Sequence, residues 1–317
     1  MSAGRVHRTE HSIDVAAPAG VVYGIVADAV GWPLYFPPSV HVERVESAGR
    51  EERLRIWAMA NGQVKSWSSH RVLDQERRRV EFRQERSAAP VKSMGGTWSV
   101  EPLGAEKSKL VLLHDFTVEG DSASDVAWVE RATDTNSSAE LENLKKLAER
   151  WTRLDDLTLS FKDSVHVAGP ADAVYDFLHR VGDWPDLVPH VSRVKVVEEE
   201  GVQVMSMDTR TTDGATHTTE SVRVCFPRTG RIVYKQTVTP ALMSAHTGEW
   251  QIVPDTSGVT VTSHHSVILR EENIKQVLGE GADIAEARRY VREALGRNST
   301  MTLNLAKSHA QRSTSEV

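Results

Sequence analysis

The sequence predicts an α+β protein of two tandem domains, each a curved antiparallel sheet wrapped around a long C-terminal helix. Three observations predict it. A shift of 152 residues carries Trp32 onto Trp184, Pro37 onto Pro189, Arg71 onto Arg223 and Trp98 onto Trp250 without a gap, and between Ser12 and Glu46 that shift leaves 13 of 35 positions identical. In each copy a series of alternating apolar and polar segments is followed by a helical pattern, the order expected of an α+β unit. Asn61-Gly62 and Asp213-Gly214 sit between two such segments and are strong hairpin signals. The repeat is far longer than the roughly 20 to 50 residues of a solenoid unit, so each copy should be a complete domain with its own core. We place the two domains at 1–153 and 154–317, with the boundary where "LTLSFKDSVHV" opens the second copy's first strand.

Taken in order, "HSIDVAAP" alternates as a strand should. Pro18 then suits the start of a helix whose buried face is Val22, Ile25 and Val26, a pattern repeated at Pro170, Val174, Phe177 and Leu178. After the Trp-Pro loop, "HVERVES" and "ERLRIWAMA-NG-QVKSWSSHRVL" read as strands, followed by "RRVEFRQE", "GGTWSVEPL" and "KLVLLHDFTV". Ser137-x-x-Glu140 has the form of a capping box, which predicts a helix start there, with Leu141, Leu144, Leu147 and Ala148 as its apolar stripe. In the second copy the helical region "NIKQVLGEGADIAEARRYVREALGRN" is longer, and its polar tail "SHAQRSTSEV" is expected to fray.

Composition narrows the function classes. The net charge of −6 gives no support for bulk binding to nucleic acid or an anionic membrane. No stretch approaches the roughly 20 apolar residues of a membrane span, and "MSAGRVHRTEHS" lacks the apolar core of a signal peptide, so a cytoplasmic protein is expected. The lone Cys225 forbids an internal disulfide and reads as a small buried hydrophobe. His264 and His265 are adjacent on a strand and so point to opposite faces, which argues against a shared metal site. No metal or cofactor is expected.

The hairpins can be read for a pocket. If Asn61 and Gly62 form a two-residue loop, Ala60 pairs with Gln63, and one face carries Leu54, Ile56, Ala58, Trp67, Ser69 and Arg71. That face is mostly apolar with a few polar groups, the usual make-up of a small-molecule pocket. Trp57 falls on the other face. The same register in the second copy gives Val204, Ser206, Asp208, Arg210, His217, Thr219, Ser221 and Arg223, a more polar wall in which Asp208 and His217 could form an acid/base pair.

These residues resemble a known family, the two-domain aromatase/cyclases of bacterial type II aromatic polyketide synthesis. The resemblance rests on "WPLYFPPSVHVERVE", "VKSWSSHRV" and "GGTWSV" in the first copy, and on "DWPDLVP", "TTESVRV" and "TGEWQIV" in the second. It implies a helix-grip fold of the START superfamily. The implied activity is cofactor-independent: a poly-β-ketone, bound to an acyl carrier protein and expected to be already ketoreduced, undergoes first-ring aldol cyclisation, expected between its seventh and twelfth carbons, and is then dehydrated to an aromatic ring. Arg71, Tyr35 and Ser69 are the implied catalytic residues, and Trp32, Trp67 and Trp98 the substrate walls. The matching second pocket is Arg223, Ser221, Trp250 and Trp184, with Asp208 and His217 beside it. Thr219 and Leu187 replace Trp67 and Tyr35 there, so the two pockets are not expected to do equal work. The implied partners are the carrier protein and other synthase subunits. By its charge the run Arg77-Arg78-Arg79 reads as a solvated turn or, as a function, as an attractor for an acidic carrier. The alternative is a non-catalytic carrier of lipids or other hydrophobic ligands, which would need a greasy lining and seldom a deep Arg. A second domain serving only as a scaffold is a third reading.

Overall fold

A computed structural model describes residues 5–60, 62–87, 89–210, 214 and 216–315. The chain divides into two compact units, Met1–Leu154 and Asp155–Val317.

In the first unit, β1 (His7–Val15) leads into α1 (Ala19–Ala27) and the one-turn α2 (Trp32–Tyr35). Six strands follow: β2 (Ser39–Ala48), β3 (Glu51–Ala60), β4 (Gln63–Asp74), β5 (Arg79–Gln84), β6 (Val91–Gly104) and β7 (Lys107–Val118). They form one antiparallel sheet in the order β1-β7-β6-β5-β4-β3-β2. The long α3 (Ala123–Ala148) packs chiefly on β1, and also on α1 and β7. The core joins Val22, Ile25 and Val26 of α1 to Val80, Trp98, Leu110 and Leu112 of the sheet and to Leu141, Leu144 and Ala148 of α3. The short α4 (Trp151–Leu157) straddles the division between the units.

The second unit repeats the plan. It runs β8 (Thr158–Val167), α5 (Ala171–His179), α6 (Trp184–Leu187), β9 (Val191–Glu199), β10 (Val202–Arg210), β11 (Thr216–Phe226), β12 (Arg231–Val238), β13 (Met243–Asp255) and β14 (Gly258–Leu269). The sheet order β8-β14-β13-β12-β11-β10-β9 is that of the first unit. A short α7 (Ile274–Leu278) precedes the long α8 (Ile284–Ser315).

The helices differ from expectation at two places. α3 starts at Ala123, where the Ser122 hydroxyl accepts from the Asp125 N–H, and Ser137 is a buried residue in mid-helix rather than a cap. Its first half hides one stripe, Val129, Thr133 and Ser137, of which two members are polar, so no apolar period announces it. The C-terminal tail does not fray at Ser308: α8 continues to Ser315, because Leu303, Ala306 and Ala310 dock on the core, with Ala310 lying against Gly169.

The hairpins differ from each other. β3 pairs with β4 in the expected register, Ala60 with Gln63 and Leu54 with Ser69, around Gly62 at φ +76°, where glycine meets no Cβ penalty. Asn61 lies outside the described residues, as does Asp213. β10 pairs with β11 one residue out of the expected register, with Gln203 opposite Arg223, Met205 opposite Ser221 and Arg210 opposite Thr216. Five residues separate Arg210 from Thr216, against two in the first hairpin. An odd count in place of an even one turns every β10 side chain to the other face. The inward wall of β10 is therefore Gln203, Met205 and Met207, not Val204, Ser206 and Asp208.

Candidate active site

The two Trp-Pro phrases and the two sheet arginines belong to one device, built twice. A helix leaves its last carbonyls without intrahelical donors. In the first unit, Nη2 of Arg71 donates to the carbonyls of Val26 and Ala27, each at 3.1 Å, at the end of α1. The indole N–H of Trp32 donates to the carbonyl of Ile25 at 3.3 Å, and the guanidinium lies over its ring at 5.0 Å. In the second unit, Nη2 of Arg223 donates to the carbonyl of Leu178, and the Trp184 indole donates to that of Phe177 at 3.0 Å. The second guanidinium is 5.9 Å from its tryptophan. Spacing from the short helix to Trp and from Trp to Arg is thus a packing requirement in both copies.

Their electrostatic partners differ. Arg71 is 1 % exposed and its Nη1 lies 3.2 Å from Oε1 of Glu52, whose other oxygen, Oε2, accepts from Nε of Arg44 at 2.8 Å. Burial draws the Arg71 pKa down to about 10, with Glu52 opposing the shift, so the group stays charged at neutral pH. Its buried Nε–H has no hydrogen-bond acceptor among the described residues. Arg223 instead donates from Nη1 to the amide oxygen of Gln203 at 2.9 Å. Glu52 escaped the sequence reading, although the same cross-strand register that faces Leu54 toward Ser69 places it opposite Arg71.

The rest of the first unit's predicted set is brought to the same side of the sheet. Trp67 and Trp32 pack on Leu54, Ile56, Val42 and Ala29. Tyr35, at the end of α2, packs on the cluster that contains Trp98 and Val80. Ser69 is buried and donates to the Arg83 carbonyl at 3.3 Å. Glu140 lies half-buried on α3, one turn from the buried Ser137 and Leu144, and desolvation pushes its carboxyl up to about 7. Trp57, on the other face, is buried all the same, tilted against His41 with Arg55 over its ring. Arg77 and Arg79 flank the turn from β4 to β5, each beside an acidic neighbour, Asp74 and Glu81 respectively.

In the second unit, Trp184, Ser221, Arg223, Trp250 and His217 border a cavity of about 550 Å³ between the sheet and α8. Asp208 does not. It faces the opposite way and accepts from the Thr218 hydroxyl at 2.7 Å, so an acid/base pair of Asp208 with His217, one of the readings open in the sequence, is excluded by the register. The cavity contains groups the sequence reading missed. Tyr234, His246 and His265 all border it and touch one another, with Tyr234 Oη 3.1 Å and His246 Nε2 3.0 Å from His265 Nδ1. His264 does point the other way, toward Ser160, as adjacency on a strand demands. Burial holds the His265 imidazole down at about 4 and that of His246 well below its ordinary range, so both are neutral near pH 7. Cys225 is buried and its thiol is pushed up to about 11, which leaves no reactive thiolate. Among the described residues no group of three or more His, Cys, Asp or Glu side chains could hold a metal ion, and no helix is long and apolar enough to cross a membrane.

Comparison with known proteins follows the same two-unit division. Residues 6–149 and 167–288 each match a family described as "Polyketide cyclase / dehydrase and lipid transport". The chain is 44% identical, over 97% of its length and 95% of the relative's, to the granaticin polyketide synthase bifunctional cyclase/dehydratase of Streptomyces violaceoruber. Among solved structures it resembles the di-domain ARO/CYC BexL from the BE-7585A biosynthetic pathway, at 50% identity and a TM-score of 0.89, covering 96% of this chain and 98% of that one. It also resembles the di-domain ARO/CYC StfQ from the steffimycin pathway, at 31% identity and a TM-score of 0.85 over 97% and 99% of the two chains.

Proposed function

Because the chain belongs to the polyketide cyclase/dehydrase family, as a two-domain bifunctional cyclase/dehydratase of the type II polyketide synthases, we propose that it closes and aromatises the first ring of a poly-β-ketone carried as a thioester on an acyl carrier protein. The substrate in this reading is already reduced at one ketone, closure joins its seventh and twelfth carbons, and the work is done in the cytoplasm alongside other synthase subunits. The observation that carries the reading is that the likeness runs end to end over both units, at up to 50% identity, rather than over the shared fold alone.

The chemistry suits the first unit. A methylene between two ketones is already acidic, so catalysis needs a folded near-attack conformer and stabilisation of the enolate oxygen. We assign the second task to Arg71, whose fixed positive charge and unpartnered Nε–H are suited to an oxyanion and unsuited to removing a proton. Glu140, raised toward neutrality on the facing helix, is our choice for proton removal, with Tyr35 and Ser69 relaying protons directly or through water. Trp32, Trp67 and Trp98 supply flat walls that hold the chain. A buried, charged arginine is a poor lining for a lipid carrier, which favours the enzyme over the carrier.

The test is product analysis when the protein is added to a minimal synthase and ketoreductase. The expected outcome is replacement of spontaneous shunt products by one with an aromatic first ring. An unchanged product profile rejects the reading.

A further inference from the structure

The duplication allows one unit to serve as the reference for the other. In the first unit Phe82 pairs across β6 with Gly96, and Gly96 pairs with His114 on β7. In the second, Tyr234 pairs with Gly248, and Gly248 with His265. Each glycine is required by the aromatic ring laid across it: a Cβ on Gly248 would come within 2.3 Å of the Tyr234 ring, and one on Gly96 within 2.7 Å of the Phe82 ring. On this shared frame the second unit has exchanged apolar groups for polar ones. Phe82 becomes Tyr234, and Met94 becomes His246. Gln84, 4.0 Å from the Met94 sulfur, has its equivalent in Gln236, whose amide oxygen is 2.9 Å from Nδ1 of His246.

The hydrogen bonds fix the direction of this chain. The Gln236 oxygen can only accept, so His246 carries its proton on Nδ1 and offers a lone pair at Nε2. The proton between the imidazoles then sits on Nδ1 of His265, which is shared with the Tyr234 oxygen, while Nε2 of His265 accepts from the Ser263 hydroxyl at 3.0 Å. The phenol thus receives a hydrogen bond on its oxygen and retains its own O–H for whatever occupies the cavity. Burial keeps Tyr234 in the protonated form.

We propose that the cavity of the second unit is a separate dehydration site, in which Tyr234 donates a proton to the departing hydroxyl of an already cyclised β-hydroxyketone. Tyr234 gives its phenolic proton to the hydroxyl, and the C–O bond breaks to release water. The C–H bond beside the ketone breaks, its electron pair becomes the new C=C bond, and its proton passes to the phenolate and restores the tyrosine. The N–H of His265 steadies the transient phenolate, and His246 and Gln236 hold that imidazole in the tautomer this requires. The first unit, with Phe82 and Met94 at these places, has no such donor there and is left with ring closure. This inference rests on the polyketide reading above and divides its two steps between the units.

The experiment adds wild type, Tyr234→Phe and Arg71→Ala separately to the minimal synthase and ketoreductase and follows products by mass and rate. Tyr234→Phe installs the residue the first unit already carries. It should close the ring yet accumulate a product one water heavier, with aromatisation slowed roughly 100-fold, while Arg71→Ala returns uncyclised shunt products. Should Tyr234→Phe fail to fold, His246→Met, the other residue borrowed from the first unit, is expected to show the same accumulation with a weaker slowing. Aromatisation at the wild-type rate in the folded variant overturns the proposal, as do shunt products identical to those of Arg71→Ala. A wild-type protein that leaves the synthase products unchanged overturns the broader reading and this one with it.

Discussion

The guanidinium of Arg71 and the carboxylate of Glu52 face each other at 3.2 Å on adjacent strands, both almost wholly buried. The equivalent pair in the second unit, Arg223 and Gln203, is neutral on one side. Such a pair is costly to break by halves: without the guanidinium the buried Glu52 keeps only Arg44, and the Val26 and Ala27 carbonyls at the end of α1 lose their donor.

Arg71→Ala should therefore destabilise the first unit by about 3 to 5 kcal/mol in urea unfolding and also abolish correct first-ring formation. Glu52→Gln, which copies the pairing of the second unit, should cost less, since the amide still offers an oxygen to Arg71. A Glu52→Gln variant as unstable as Arg71→Ala would mean that the carboxylate's charge maintains the clamp on α1.

Replacing Trp32 or Trp184 by Phe removes an indole donor from a helix carbonyl and weakens the stacking under an arginine. Each change should cost on the order of 1 to 2 kcal/mol. Similar losses at the two positions, measured by thermal unfolding, are expected from the shared geometry, with the larger at Trp184, whose bond to Phe177 is the shorter.

Asp208 faces away from the cavity and bonds Thr218 on the outer face. Asp208→Ala should leave the product distribution unchanged and shift stability by no more than about 0.5 kcal/mol. Loss of either ring closure or dehydration in this variant would contradict the register of the second hairpin.

His265 is neutral in the folded protein down to about pH 4, whereas an unfolded imidazole protonates near 6.5. The unfolded chain therefore binds more protons across that window, and stability must fall as pH drops from about 6.5 to 4, by roughly 3 kcal/mol from this residue. His246 adds to the same trend. The His265→Gln variant should show a visibly flatter dependence of unfolding free energy on pH between 7 and 5; an unaltered slope would place the acid sensitivity elsewhere.

If Glu140 removes the substrate proton, it must be ionised to act, so the rate of ring closure should rise with pH through about 7. Glu140→Gln should lose that rise along with most of the rate.

Tandem architecture, the antiparallel sheets and the inward face of β3 and β4 were all readable from the amino-acid order. A gapless repeat demands that two halves share a fold, and a strand's two-residue period assigns its faces once one turn is known. That reasoning held in the first hairpin, where two loop residues kept the parity, and it failed in the second, where five residues reversed it. The early half of α3 and the end of α8 were hidden for a related reason: Thr133, Ser137 and Ala310 are buried by what packs on them, not by being strongly apolar. Tyr234, His246 and His265 come from three strands, and only the lateral pairing of β12, β13 and β14 across Gly248 brings them within hydrogen-bonding reach. Local order determines period and repeat, which are properties of neighbours along the chain. The partner of a buried charge and the members of a proton relay are neighbours across it, and folding alone decides them.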